Sequence, residues 1–148
     1  VVRAAWLRKL HASGGRGWRH FCVLLPAEAL WRLGTPYVKL EERGEELVVR
    51  PAPAEEVVAA AREVGRRALW TRGIYRVQVY RVGGRAAARV TVPTRVAEKW
   101  RTKYVHVEVG EDGSVVIRPA RVDEEVARTI MATYDVWEAL RRWARRAE

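Results

Sequence analysis

Two glycine pairs, each followed at once by arginine, are the part of this chain best suited to chemistry. They read Gly14-Gly15-Arg16 and Gly83-Gly84-Arg85, with Arg19 soon after the first and Arg89 after the second. Glycine permits turns with positive φ and lets backbone amides come close to a ligand. A guanidinium offers a planar fork of donors that matches phosphate, or the edge of a guanine, two bonds at a time. The chemistry implied is recognition of an anion, with no bond made or broken. Groups that could do more are poorly arranged. His11, His20 and His106 are scattered over strand-like segments without metal-ligand spacing, and read as surface or satisfied strand residues. There is no Walker loop, no nucleophile elbow and no isolated acid pair; the carboxylates cluster at turns and helix starts. No catalytic site, cofactor or metal is expected, and an enzyme is not expected.

Charge agrees with anion recognition. The 148 residues include 28 Lys and Arg against 18 Asp and Glu, a formal charge of +10. Such a field attracts polyanions. Arginine far outnumbers lysine, which favours phosphate and base edges, although a GC-rich genome produces the same bias. A charge that only maintains solubility is the competing account. Few Asn, Gln, Cys and Met beside dense Glu and Arg suggest a hot habitat. The single cysteine, Cys22, lies in the apolar run Phe21-Cys22-Val23-Leu24-Leu25, so it reads as a small buried hydrophobe in a reducing compartment. No apolar run approaches the ~20 residues needed to cross a bilayer, and Arg3, Arg8 and Lys9 precede no signal core. A cytoplasmic, nucleoid-associated location without membrane contact is expected.

The elements that must position these arginines come in two copies. The first copy runs from Gly14-Gly15-Arg16 through Pro26 and Tyr37 to Leu47-Val48-Val49-Arg50-Pro51. The second runs from Gly83-Gly84-Arg85 through Pro93 and Tyr104 to Val115-Val116-Ile117-Arg118-Pro119. Pro26 and Tyr37 match Pro93 and Tyr104 at one offset of 67 positions. Internal repetition at a fixed period is the strongest organising signal a single sequence offers. It divides the chain into 1–72 and 73–148, each a repeat plus a helix, expected to pack as one domain.

Pattern supplies the elements of each copy. Tyr75 to Val82 alternates with period two and predicts a half-buried strand. Arg89 to Val92 predicts a second, stopped at Pro93, which cannot donate to a ladder but begins a helix well. Thr94 to Trp100 predicts two helical turns. Val105, Val107 and Val109 predict the inner face of a third strand, and Val115 and Ile117 return after a turn at Glu111-Asp112-Gly113. Acids open two further helices, at Ala54-Glu55-Glu56-Val57 and Asp123-Glu124-Glu125-Val126.

This order, with Arg89-Val90-Thr91-Val92-Pro93 leading to Val116-Ile117-Arg118-Pro119, resembles the AbrB/SpoVT/MazE swapped-hairpin family. The resemblance covers about residues 74–120, with a weaker copy at about 5–52. It implies an α+β fold: a duplicated β-α-β-β swapped-hairpin-like barrel, a pseudo-dimer within one chain, with a helix after each repeat. It also implies basic contacts on the first strand, before the second strand and on the short helix. In the second copy these are Arg76, Arg81, Arg85, Arg89 and Arg95, with Lys99 also on the helix. The first copy offers Arg16 and Arg19 as weaker counterparts, together with Arg8, Lys9 and Arg32, while Cys22 stands at the position of Arg89.

Seven tryptophans remain to be placed. Trp100 aligns with Leu33 and reads as core. Trp137 shares a stripe with Val126, Ile130 and Tyr134 and reads as core too. Trp6 and Trp18 are the candidates for stacking on unpaired bases, with simple packing the alternative. The basic end of the last helix, Arg141 to Arg146, suits a helix C-terminus, a phosphate grip or a homo-oligomer contact. Three functions follow: duplex DNA binding in transcription or chromatin, single-stranded DNA or RNA binding including ribosome association, and an antitoxin-type interaction module.

Overall fold

The computed structural model describes residues 2–15, 18–82 and 85–147. Nine strands and four α-helices alternate along it. They are β1 (Val2–Gly15), β2 (Trp18–Leu25), α1 (Ala27–Leu33), β3 (Tyr37–Arg43), β4 (Glu46–Pro51) and α2 (Ala54–Val64). A 3-10 segment (Arg66–Arg72) follows, then β5 (Ile74–Arg76), β6 (Gln78–Val82), β7 (Arg85–Val92), α3 (Thr94–Trp100), β8 (Tyr104–Gly110), β9 (Val115–Ala120) and α4 (Glu124–Ala147). The strands form one antiparallel sheet in the order β5-β3-β4-β9-β8-β1-β2-β7-β6. Its two edges, β5 and β6, are consecutive pieces of chain joined at Val77, so the sheet is a nearly closed barrel. The Val77 amide donates to the Pro36 carbonyl at 2.7 Å, and its side chain is buried.

Residues 75–82, expected as one strand, are thus divided at Val77, because the two parts pair with different neighbours. Ile74–Arg76 pair with β3 and Gln78–Val82 with β7. β1 divides its partners likewise, giving Val2–Lys9 to β8 and Leu10–Gly15 to β2. At the centre of the β2–β7 ladder Val23 faces Val90, and at the centre of the β4–β9 ladder Val48 faces Val116.

Alternation fills the barrel. Phe21, Val23 and Leu25 of β2, and Ala88, Val90 and Val92 of β7, point inward to meet Val105, Val107 and Val109 of β8 and Trp6 and Leu10 of β1. The short helices α1 and α3 plug the same core with Leu33 and Trp100. Each begins after a proline and stops in the left-handed conformation, at Gly34 (φ 66°) and at Arg101 (φ 51°).

The other helices lie on the barrel's outside. Ala127 of α4 is buried with Leu7, Tyr104 and Ala120, while α2 and the 3-10 segment bury Ala60 and Leu69 against Ala52 and Ile74. Asp123 caps α4, its Oδ1 accepting the Val126 amide at 2.9 Å. The tryptophans divide. Trp100 is 1% exposed, as expected of core. Trp137 is not core: it is 65% exposed, and its stripe partners Val126 and Ile130 are exposed too, because α4 turns a different face to the barrel. Among the described residues no helix is long and apolar enough to cross a membrane.

Candidate nucleic-acid interface

Two hairpins, β1–β2 and β6–β7, lie side by side through the β2–β7 ladder. Residues that alternate out of the core on these strands form their outer face. Rows across it follow from the register: His11, Cys22 and Thr91 in one, Leu24, Arg89 and Gln78 in the next. Cys22 is buried within its row, and burial pushes its thiol pKa up even though the nearby Arg89 charge pulls it down. Such a thiol is inert. Arg89 is half-buried on the same face.

His11 reports the local potential. Its pKa is lowered first by burial, then by the charges of Lys9 and Arg89. Cations from β1 and β7 therefore act together on one face. Sequence reasoning set His11 aside, since the alternation of Lys9 and His11 on β1 does not reveal that Arg89 lies two strands away.

The remaining arginines are divided between strand faces: Arg85 alternates with Arg89, whereas Arg19 alternates with inward Phe21 and Val23. Arg19 is the second residue of β2, its carbonyl accepting the Thr94 hydroxyl at 3.3 Å. Arg85 opens β7 at the far end, described by its backbone only, and Arg16 lies outside the described residues. Because Phe21 faces Val92, Arg19 and Arg85 stand nine strand steps apart, roughly 30 Å at about 3.3 Å per residue. Arg81 is exposed on β6 but shares the strand face of Val79, opposite Ala86. Arg76 and Arg81 thus alternate to different faces. Arg76 opens instead on a cavity of about 370 Å³ lined by Tyr37, Arg66, Arg67 and Leu69. Arg66 and Arg67 had no place in the sequence reading; the only signal was an Arg-Arg pair after Gly65.

Arg95 is already engaged. Its Nη2 and Nε donate to Glu42 at 2.5 and 3.1 Å, and that hydrogen bond, with the carboxylate's charge, raises its pKa further. The pair is exposed, so it is weak and a phosphate can compete for it. Of the two stacking candidates, the Trp18 side chain lies outside the described residues. Trp6 is a correction: it is only 9% exposed and lies in the core, because on β1 it shares the inward face of Leu10 and sits opposite buried Val107. Trp31, at 84% exposure, is the aromatic that α1 presents to solvent. Among the described residues no group of His, Cys, Asp or Glu is placed to hold a metal ion.

No family model, curated protein or solved structure matches the chain.

A ligand laid across this face should be felt by His11. Phosphates would offset the Lys9 and Arg89 charges and raise its pKa, so the complex would hold more protons than the free protein. Affinity is then expected to rise as pH falls through the ordinary histidine range and below it, because burial and the Lys9 and Arg89 charges hold the free protein's His11 under that range. Binding titrations across that range should show the slope, and His11→Ala should flatten it. A wild-type profile without slope would place the ligand away from His11.

Proposed function

We propose that this protein is a duplicated swapped-hairpin barrel, complete within one chain, that binds duplex DNA in transcription regulation or chromatin. Support for the duplication lies in the ladders. Val23 and Val90 face each other and are also counterparts at the 67-residue offset; Val48 and Val116 do the same with one residue more. The divided pairings of β1 and of residues 74–82 are counterparts as well. A pseudo-twofold axis passing through both valine pairs accounts for all four observations.

The observation that carries the DNA reading is the spacing of the two arginine-bearing hairpin ends. Arg19 and Arg85 lie roughly 30 Å apart, near the ~34 Å turn of B-DNA that twofold proteins span with their half-sites. Arg89 and Lys9 charge the outer face that Arg85 shares by alternation, Arg19 reaches solvent from the inward-facing side at the exposed end of β2, and the net charge of +10 supports long-range capture. Exposed Trp31 and Trp70 favour a second reading, in which stacked single strands are the ligand.

One titration separates the two. Duplex DNA, single-stranded DNA and structured RNA would be compared at several salt concentrations. Tightest binding to duplex is expected, with log affinity falling steeply against log salt. Tightest binding to single strands, with fluorescence quenching of tryptophan, would favour the second reading. Salt-independent or undetectable binding to all three would sink both.

A further inference from the structure

We propose that two copies of this chain form a symmetric dimer by pairing their α4 helices antiparallel along the apolar seam that faces away from the barrel. Among the described side chains, those of α4 that pack on the barrel lie in its first half: Ala127 is buried with Leu7, Tyr104 and Ala120, and Met131 packs beside them. From Asp135 to Arg146 every side chain that is described is exposed. A free-standing segment shorter than about 12–15 residues is a marginal helix in water. This one also carries Val136, Trp137, Leu140 and Trp143, with Trp143 70% exposed.

The apolar positions are ordered. Val126, Ile130, Thr133, Trp137, Leu140 and Ala144 recur at alternating spacings of four and three, the period of a coiled-coil seam, with Val136 and Trp143 along one flank. The seam is turned about 100° around the helix from Ala127 and Met131, so the barrel leaves it uncovered.

Charge and shape point to a second copy as its cover. Glu125 stands on the first half and Asp135 at the middle, and Arg128 is already paired with Glu124 at 3.1 Å; Arg141, Arg145 and Arg146 crowd the last turns. Parallel pairing would bring arginines against arginines. Antiparallel pairing sets each acidic half beside the partner's basic end and lays the seam upon itself. Val126 then comes level with Ala144, Ile130 with Leu140, and Thr133 with Trp137, so small residues meet large ones. The same patch is used on both copies, which closes the assembly at two. An anionic membrane or nucleic acid as cover would meet the acids of the first half. The pairing does not depend on what the barrel binds.

Sedimentation of the full chain tests this. The expected mass is that of two 16.9 kDa chains. Trp137→Ala should raise the dimer dissociation constant about 30-fold or more, as loss of a central aromatic anchor does. Leu140→Glu should give a monomer whose barrel unfolds at the wild-type temperature. For orientation, a mixture of Val126→Cys and Ala144→Cys chains should form a mixed disulfide, since buried Cys22 leaves the introduced thiols as the reactive ones. A monomeric wild type at high concentration, or a Leu140→Glu chain that still dimerises, would overturn the proposal. A Val126→Cys chain that cross-links to itself in preference would overturn the antiparallel arrangement.

Discussion

Replacing Trp100 with alanine is expected to destabilise the fold by about 3–5 kcal/mol, the range of buried aromatic truncations. The side chain is 1% exposed and sits among the inward residues of both hairpins. Its indole Nε1 also donates to the Glu45 carbonyl at 2.6 Å, which ties α3 to the β3–β4 turn. Truncation removes a large apolar group, leaves a cavity between two parts of the barrel, and strips a partly buried carbonyl of its donor. In a domain of this size the melting temperature should fall by roughly 10 °C. Trp100→Phe keeps most of the volume and loses the hydrogen bond, so its cost should be smaller, about 1–2 kcal/mol. If both variants melted with the wild type, Trp100 would not be the residue that joins the helix to the barrel.

The second large effect concerns binding. Arg19→Ala combined with Arg85→Ala removes one cation from each end of the proposed interface. Each lost phosphate contact should reduce the slope of log affinity against log salt by roughly 0.9 on duplex DNA. The pair should weaken binding roughly 10- to 100-fold, alike for every sequence, because phosphate contacts position a protein without reading bases. Neither change should alter stability, since Arg19 is exposed and both residues stand at strand starts beside the turns. An unchanged salt slope with the fold intact would move the nucleic acid elsewhere, with the Arg66, Arg67 and Arg76 cavity next to be tested.

The candidate interface was only partly legible in the sequence. The arginines at the hairpin turns stood out because glycine pairs mark the turns locally. The neighbourhood of His11, Lys9 and Arg89 did not, since it is assembled from β1 and β7, 78 positions apart at His11 and Arg89, by way of β2. Arg95 looked as available as any other arginine until Glu42, 53 positions away, was found beside it.

Sequence by itself determined what is local. Period-two alternation set the strands and their inner faces, prolines set where α1 and α3 begin, and acids set the starts of α2 and α4. These depend on steric limits and on dipoles within a few residues. Tertiary structure alone decided which strands pair, where residues 74–82 divide, and which apolar stripes are covered. Trp100 and Trp137 both sit on helical stripes that look alike in sequence, yet one is at the centre of the core and the other in solvent. Amphipathicity states that a face is fit to be buried. Only the position of another surface, fixed by contacts far apart in the chain, decides whether anything buries it.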